Sequence, residues 1–97
     1  MAGIRTKEMK HYTLIVHGKV QGVFFRASTR EEAVKLGLTG YVKNNPDGNV
    51  IIEVEGEVEV IEQLVEWSHH GPPLAKVTDV EVTEGDLTGY TSFEIRR

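Results

Sequence analysis

The segment His17-Gly18-Lys19-Val20-Gln21-Gly22-Val23-Phe24-Phe25-Arg26 joins two stretches of different periodicity and ends on an arginine. Before it, Tyr12, Leu14 and Val16 alternate with Thr13, Ile15 and His17, as in a strand. After it, Phe25, Thr29, Ala33 and Leu36 recur at helical spacing. The glycine-bearing loop therefore leads into a helix N-terminus, where unpaired N–H groups and partial positive charge suit an anion. Arg26 falls in or near the first turn, where a cation opposes the helix dipole at a cost of about 0.3–1 kcal/mol. No Ser, Thr, Asp or Asn stands between Gly18 and Phe25 to cap that helix. An anion bound in the loop would remove both difficulties. The plainer alternative makes Gly22 a tight turn and lets Arg26 pair with Glu31 or Glu32, or point to water. The loop is neither a Walker A motif nor a dinucleotide fingerprint.

Asn44 is the second side chain to weigh. It closes a short strand over Thr39 to Asn44, directly before the turn Asn45-Pro46-Asp47-Gly48. An asparagine beside such a turn commonly serves the turn itself. Asn45 is the more natural turn residue and would leave Asn44 free at the end of its strand, but the residues alone favour the turn role for Asn44. The histidines offer less: His17 alternates on a strand, His69 and His70 end a helix, and nothing gathers them with His11 into a metal site. Trp67, with Leu64, reads as packing, and the acidic run from Glu53 to Glu66 reads as a solvated face. Ser28, Ser68 and Ser92 have no neighbouring partner that would mark a nucleophile.

The remaining elements follow from the same patterns. The first helix spans Phe24 to Leu36, with Gly37 placed to end it. Val50, Ile52 and Val54 alternate with Ile51, Glu53 and Glu55, so a strand returns from the turn and Gly56 closes the hairpin. Val58, Ile61, Leu64, Val65 and Ser68 make a second amphipathic helix, stopped by His70-Gly71-Pro72-Pro73. A strand over Lys76 to Thr83, a polar loop from Glu84 to Gly89 and a short strand from Tyr90 to Ile95 complete the chain. The order βαββαβ, with that short extra strand, predicts an α+β fold. Each helix has one apolar stripe, so both must cover one face of a mostly antiparallel sheet in a ferredoxin-like sandwich.

Composition limits what such a domain can be. The chain has 97 residues and a net charge of −4, with 39% hydrophobic residues, which suits one modest core. It has no cysteine, which removes disulfides, thiolate metal sites and thiol catalysis. The acidic balance argues against a phosphate-backbone binder. No apolar run approaches the roughly 20 residues of a membrane span. Residues 1–11 are polar and mixed in charge, lack the apolar core of a signal peptide, and are expected to form a flexible tail before a domain over 12–97.

Gly18-x-Val20-Gln21-Gly22-Val23-x-Phe25-Arg26 closely resembles the first signature of the acylphosphatases. Gly40-x-Val42-x-Asn44-x-x-Asp47-Gly48-x-Val50 resembles their second, and Gly71-Pro72-Pro73 before a valine-rich strand resembles a looser third feature. The resemblance runs from Tyr12 to the C-terminus and implies hydrolysis of the carboxyl–phosphate bond of acyl phosphates. It gives Arg26 the phosphate and the transition state, and Asn44 the attacking water. It makes the backbone N–H groups of Gln21, Gly22, Val23, Phe24, Phe25 and Arg26 the phosphate cradle. Some family members have a hydroxyl residue after the water-binding asparagine, where this chain has Asn45. No metal or cofactor is implied.

The expected protein is a cytoplasmic monomer that takes a small-molecule acyl phosphate, releases inorganic phosphate, and engages neither nucleic acid nor membrane. The end of the chain at Arg97 is expected of a free-standing protein rather than a carbamoyl-phosphate domain in a larger enzyme. It also makes the terminal carboxylate a candidate partner for Arg26. The rivals are a nucleic-acid module on the same fold, for which the strands lack stacking aromatics, and a binding protein whose site no longer turns over.

Overall fold

The computed structural model describes residues 8–97. Seven elements follow one another: β1 (Met9–Lys19), α1 (Phe25–Lys35), β2 (Thr39–Asn44), β3 (Val50–Glu57), α2 (Val58–Ser68), β4 (Lys76–Gly85) and β5 (Phe93–Arg96). The strands form one sheet in the order β4-β1-β3-β2-β5. All pairings are antiparallel except that of β5 with β2. This is the expected ferredoxin-like sandwich, with β5 as an added edge strand.

Strand alternation decides which face is apolar. Leu14 and Val16 of β1, Val42 of β2, and Val50, Ile52 and Val54 of β3 are fully buried. They meet Phe25 and Ala33 of α1 and Ile61 and Leu64 of α2 in a single core. Each of these side chains larger than alanine contributes about 1.5–3 kcal/mol when removed from water. Thr29, on the same stripe as Phe25 and Ala33, is also buried, and its hydroxyl donates to the Phe25 carbonyl at 2.8 Å. No helix among the described residues is long and apolar enough to cross a membrane.

Two expectations change at the sheet's other face. β1 begins at Met9 rather than Tyr12, because Met9, Lys10 and His11 pair with Glu57, Gly56 and Glu55. Of the tail expected over 1–11, residues 8–11 are thus part of the folded domain and residues 1–7 lie outside the described residues. The acidic run is likewise not all solvated, since Glu55 is only 4% exposed. Its carboxylate accepts hydrogen bonds from the amides of Thr88, Gly89 at 2.9 Å and Tyr90 at 3.3 Å, and from His11 Nδ1 at 2.7 Å. Glu53 accepts from His11 Nε2 and from the Thr13 hydroxyl, each at 2.6 Å. Burial alone would push the Glu55 carboxyl up, but these donors outweigh it and hold the pKa down at about 2. Burial likewise opposes the His11 charge, and its two carboxylate partners outweigh that and raise its pKa.

The strand ends differ for matching reasons. β4 runs past Thr83 because Glu84 and Gly85 pair with Tyr12 and His11 of the lengthened β1. β5 starts at Phe93, since Tyr90 lies in the connection that Glu55 ties down. Gly56 belongs to β3, where a Cβ would sit 2.4 Å from a Leu38 methyl carbon.

Candidate active site

The loop between β1 and α1 is held by its apolar residues and leaves its polar backbone open. Val20, Val23 and Phe25 are buried to within 4% of full burial and anchor it in the core. The residues between them turn outward. Phe24 is the helix N-cap, is 75% exposed, and has φ 66° and ψ 22°. It is the only non-glycine residue with positive φ among the described residues, a conformation that costs an L-residue about 1–2 kcal/mol. Its carbonyl accepts the first helical bond, from Ser28 N at 3.0 Å. No side chain caps the helix. Among the described residues, no hydrogen bond uses an amide from Gln21 to Ala27 as donor. A run of free N–H groups at a helix N-terminus is a site for an anion.

Arg26 stands in the first turn beside these amides, and it meets neither Glu31 nor Glu32. Its Nη1 donates to the Arg96 carbonyl at 3.4 Å, so the expected pairing with the terminal carboxylate is replaced by a long bond one residue earlier. One turn on, Arg30 Nε donates to the Phe93 carbonyl at 3.2 Å. The two arginines thus place α1 along β5.

Asn44 occupies the last rung of β2, paired with Val50 of β3. It shares the helix-side face with Gly40 and Val42. Gly40 has φ 139°, and a Cβ there would sit 1.9 Å from the Glu53 carbonyl oxygen, so only glycine lets β2 lie against β3. Beyond Asn44 the turn expected at Asn45–Gly48 forms, with Gly48 N donating to the Asn45 carbonyl at 3.0 Å. The Asn44 carboxamide makes no hydrogen bond among the described residues.

Arg26 and Asn44 border the same pocket, of about 300 Å³, together with Gly22, Phe24 and Phe25. The side chains of two residues expected in the cradle point away from it, leaving only their backbone to the loop. Val23 is buried in the core, and the Gln21 side chain turns to the β2–β3 hairpin. Val20, Ala27 and Ile95 do line it and were not anticipated. Ile95 had a legible signal, since it alternates with Phe93 on the last strand. The third motif also gains a reason. Phe25 packs on Trp67 with ring centroids 5.6 Å apart, and a Cβ at Gly71 would lie 2.5 Å from the Phe25 ring. Among the described residues no cluster of three or more metal-binding side chains occurs. The pocket can hold a small anion between free amides and a guanidinium, with a carboxamide facing it.

A family model described as Acylphosphatase matches residues 12–95. A curated acylphosphatase of Rubrobacter xylanophilus is 48% identical over 91 residues, covering 93% of this chain and 83% of its own. The crystal structure of acylphosphatase from Bacillus subtilis superposes with a TM-score of 0.88 and 44% identity, over 91% of this chain and 99% of that one. The structure of an acylphosphatase from Coxiella burnetii gives a TM-score of 0.89 and 41% identity, over 96% of this chain and all of that one, at 100%.

Proposed function

The chain belongs to the acylphosphatase family and is an enzyme of that family, and from this premise we propose how it hydrolyses acyl phosphates. The phosphoryl oxygens sit in the cradle of amides from Gln21 to Arg26, with the Arg26 guanidinium across them. Asn44 orients the attacking water, and no metal takes part. One observation supports this above the others: Arg26, Asn44 and the uncapped helix start share a single pocket.

The chemistry suits such sparse equipment. The leaving group is a carboxylate, whose conjugate acid has a pKa near ~4 by analogy with Asp and Glu. It departs without a strong general acid. Phosphoryl transfer then asks mainly for positioning and for charge stabilisation on the equatorial oxygens. One well-aimed donor lowers such a barrier by roughly 3–4 kcal/mol. Arginine fits the task better than lysine, because its planar fork meets two phosphate oxygens at once. Asn44 cannot take a proton at neutral pH, so its part is to hold the water by hydrogen bonds. All of these groups come from one chain, which supports a monomer acting on small-molecule acyl phosphates.

The test is steady-state hydrolysis of an aromatic acyl phosphate in excess EDTA, comparing the natural chain with Arg26→Ala. We expect turnover in EDTA and its loss in the variant, together with loss of inhibition by inorganic phosphate. Normal turnover by a folded variant would overturn the assignment. A folded natural chain that binds phosphate without turnover would instead favour a binding role.

A further inference from the structure

We propose that the Gln21 side chain is a positioning residue that sets the spacing between the phosphate cradle and Asn44. This rests on the proposed reading of those two parts and gives a role to a side chain that touches neither substrate nor water. Gln21 Nε2 donates to the Asn45 carbonyl at 2.7 Å and to the Asn49 carbonyl at 2.8 Å. Asn45 directly follows Asn44, and Asn49 directly precedes Val50, the ladder partner of Asn44. One carboxamide therefore grips both residues that flank the rung carrying Asn44. The Asn49 carbonyl also accepts from Asn45 N at 2.8 Å, and the Asp47 carboxylate accepts from Asn49 N at 3.0 Å, so the gripped end is itself braced.

The cradle needs such a tie because its amides are kept for an anion. Among the described residues, no other hydrogen bond joins residues 20–27 to the hairpin. Apolar anchors at Val20, Val23 and Phe25 fix how deep the loop sits, but dispersion contacts are non-directional and tolerate sliding. Two hydrogen bonds from one planar group are directional. Both carbonyls accept, so the group must offer two N–H donors and reach across from the loop, which glutamine does and glutamate cannot.

A positioning role makes a particular pattern of kinetics. Phosphate affinity, set by the cradle and Arg26, is largely kept, while the step that needs water at the right distance slows. We expect Gln21→Ala to lower kcat roughly tenfold, with phosphate inhibition changed by less than about twofold. The same substitution made on top of Asn44→Ala should lower kcat by less than about twofold, because the group being positioned is already gone. Gln21→Glu keeps the side chain's size and guards against a collapsed loop in Gln21→Ala. Its carboxylate faces two carbonyl oxygens, so its deficit relative to the natural chain should be at least as large at pH 8. That deficit should narrow as acid protonates the introduced carboxyl and restores one donor.

The experiment measures kcat, KM and phosphate inhibition for all four combinations of Gln21→Ala with Asn44→Ala, plus the pH profile of Gln21→Glu. A tenfold effect of Gln21→Ala that is equal in both backgrounds would overturn the inference and leave the role of Asn44 standing. So would parallel loss of kcat and phosphate affinity, which would make the Gln21 side chain part of the cradle. If Asn44→Ala alone leaves kcat unchanged, the reading of Asn44 fails and the inference falls with it.

Discussion

Arg26 is electrostatically misplaced at a helix start unless an anion joins it, and that mismatch is what makes it informative. Its only hydrogen bond among the described residues is the 3.4 Å contact to a strand carbonyl, so the guanidinium keeps most of its donors for a ligand. Asn44 differs in kind, because in the proposed mechanism its carboxamide serves the attacking water more than the bound phosphate. Replacing Asn44 by Ala should lower kcat by about 10²-fold or more while phosphate inhibition changes little; steady-state kinetics with phosphate as inhibitor checks this. The residues alone leave both side chains open to plainer readings, Arg26 as the partner of a nearby glutamate and Asn44 as a turn residue. The resemblance of the two motifs singles them out, and the structure brings them to one pocket. Gln21 was legible as a member of the loop and not as a clamp. Its partners are backbone carbonyls 24 and 28 residues away, and no periodicity points to a carbonyl.

Among the elements, β2 carries the sharpest constraint, because its place beside β3 depends on one glycine. Gly40→Ala would drive a Cβ to 1.9 Å from the Glu53 carbonyl oxygen at φ 139°. The strand must then shift or the ladder part, and Asn44 moves with it. We expect a loss of at least about 2 kcal/mol in stability, read by urea unfolding, with kcat falling further than phosphate affinity. The helices, the hairpin and β2 were legible to within a residue or two, because apolar periodicity and turn residues are local signals. The extension of β1 was not. Met9, Lys10 and His11 look like a polar tail and become strand only because β3 and β4 offer them partners far along the chain. Glu55 misleads in the same way, as an alternating glutamate reads as solvent-facing until a distant loop folds over it.

For the molecule as a whole, the His11–Glu55 arrangement sets how stability responds to pH. The Glu55 pKa is about 2 against an ordinary 4.5, so its contribution is complete above about pH 4.5 and is lost as pH falls toward 2. The loss amounts to roughly 3 kcal/mol. His11 acts with the opposite sign. Its raised pKa makes its contribution complete below about pH 6.5 and lost once pH climbs past the folded value. Stability should therefore be greatest between these limits. Glu55→Gln should flatten the acid limb, as checked by thermal unfolding at a series of pH values. The sheet order has another consequence, which concerns time. β1 lies between β3 and β4, and its rung from His11 to Gly85 spans nearly the whole domain. At about 5–20 residues per second a ribosome makes β1 several seconds before β4 exists. In the meantime β1 can pair along one side only, with β3 of the β2–β3 hairpin. Until then the other side of β1 lacks its partner, so this small protein completes its fold only once β4 is made.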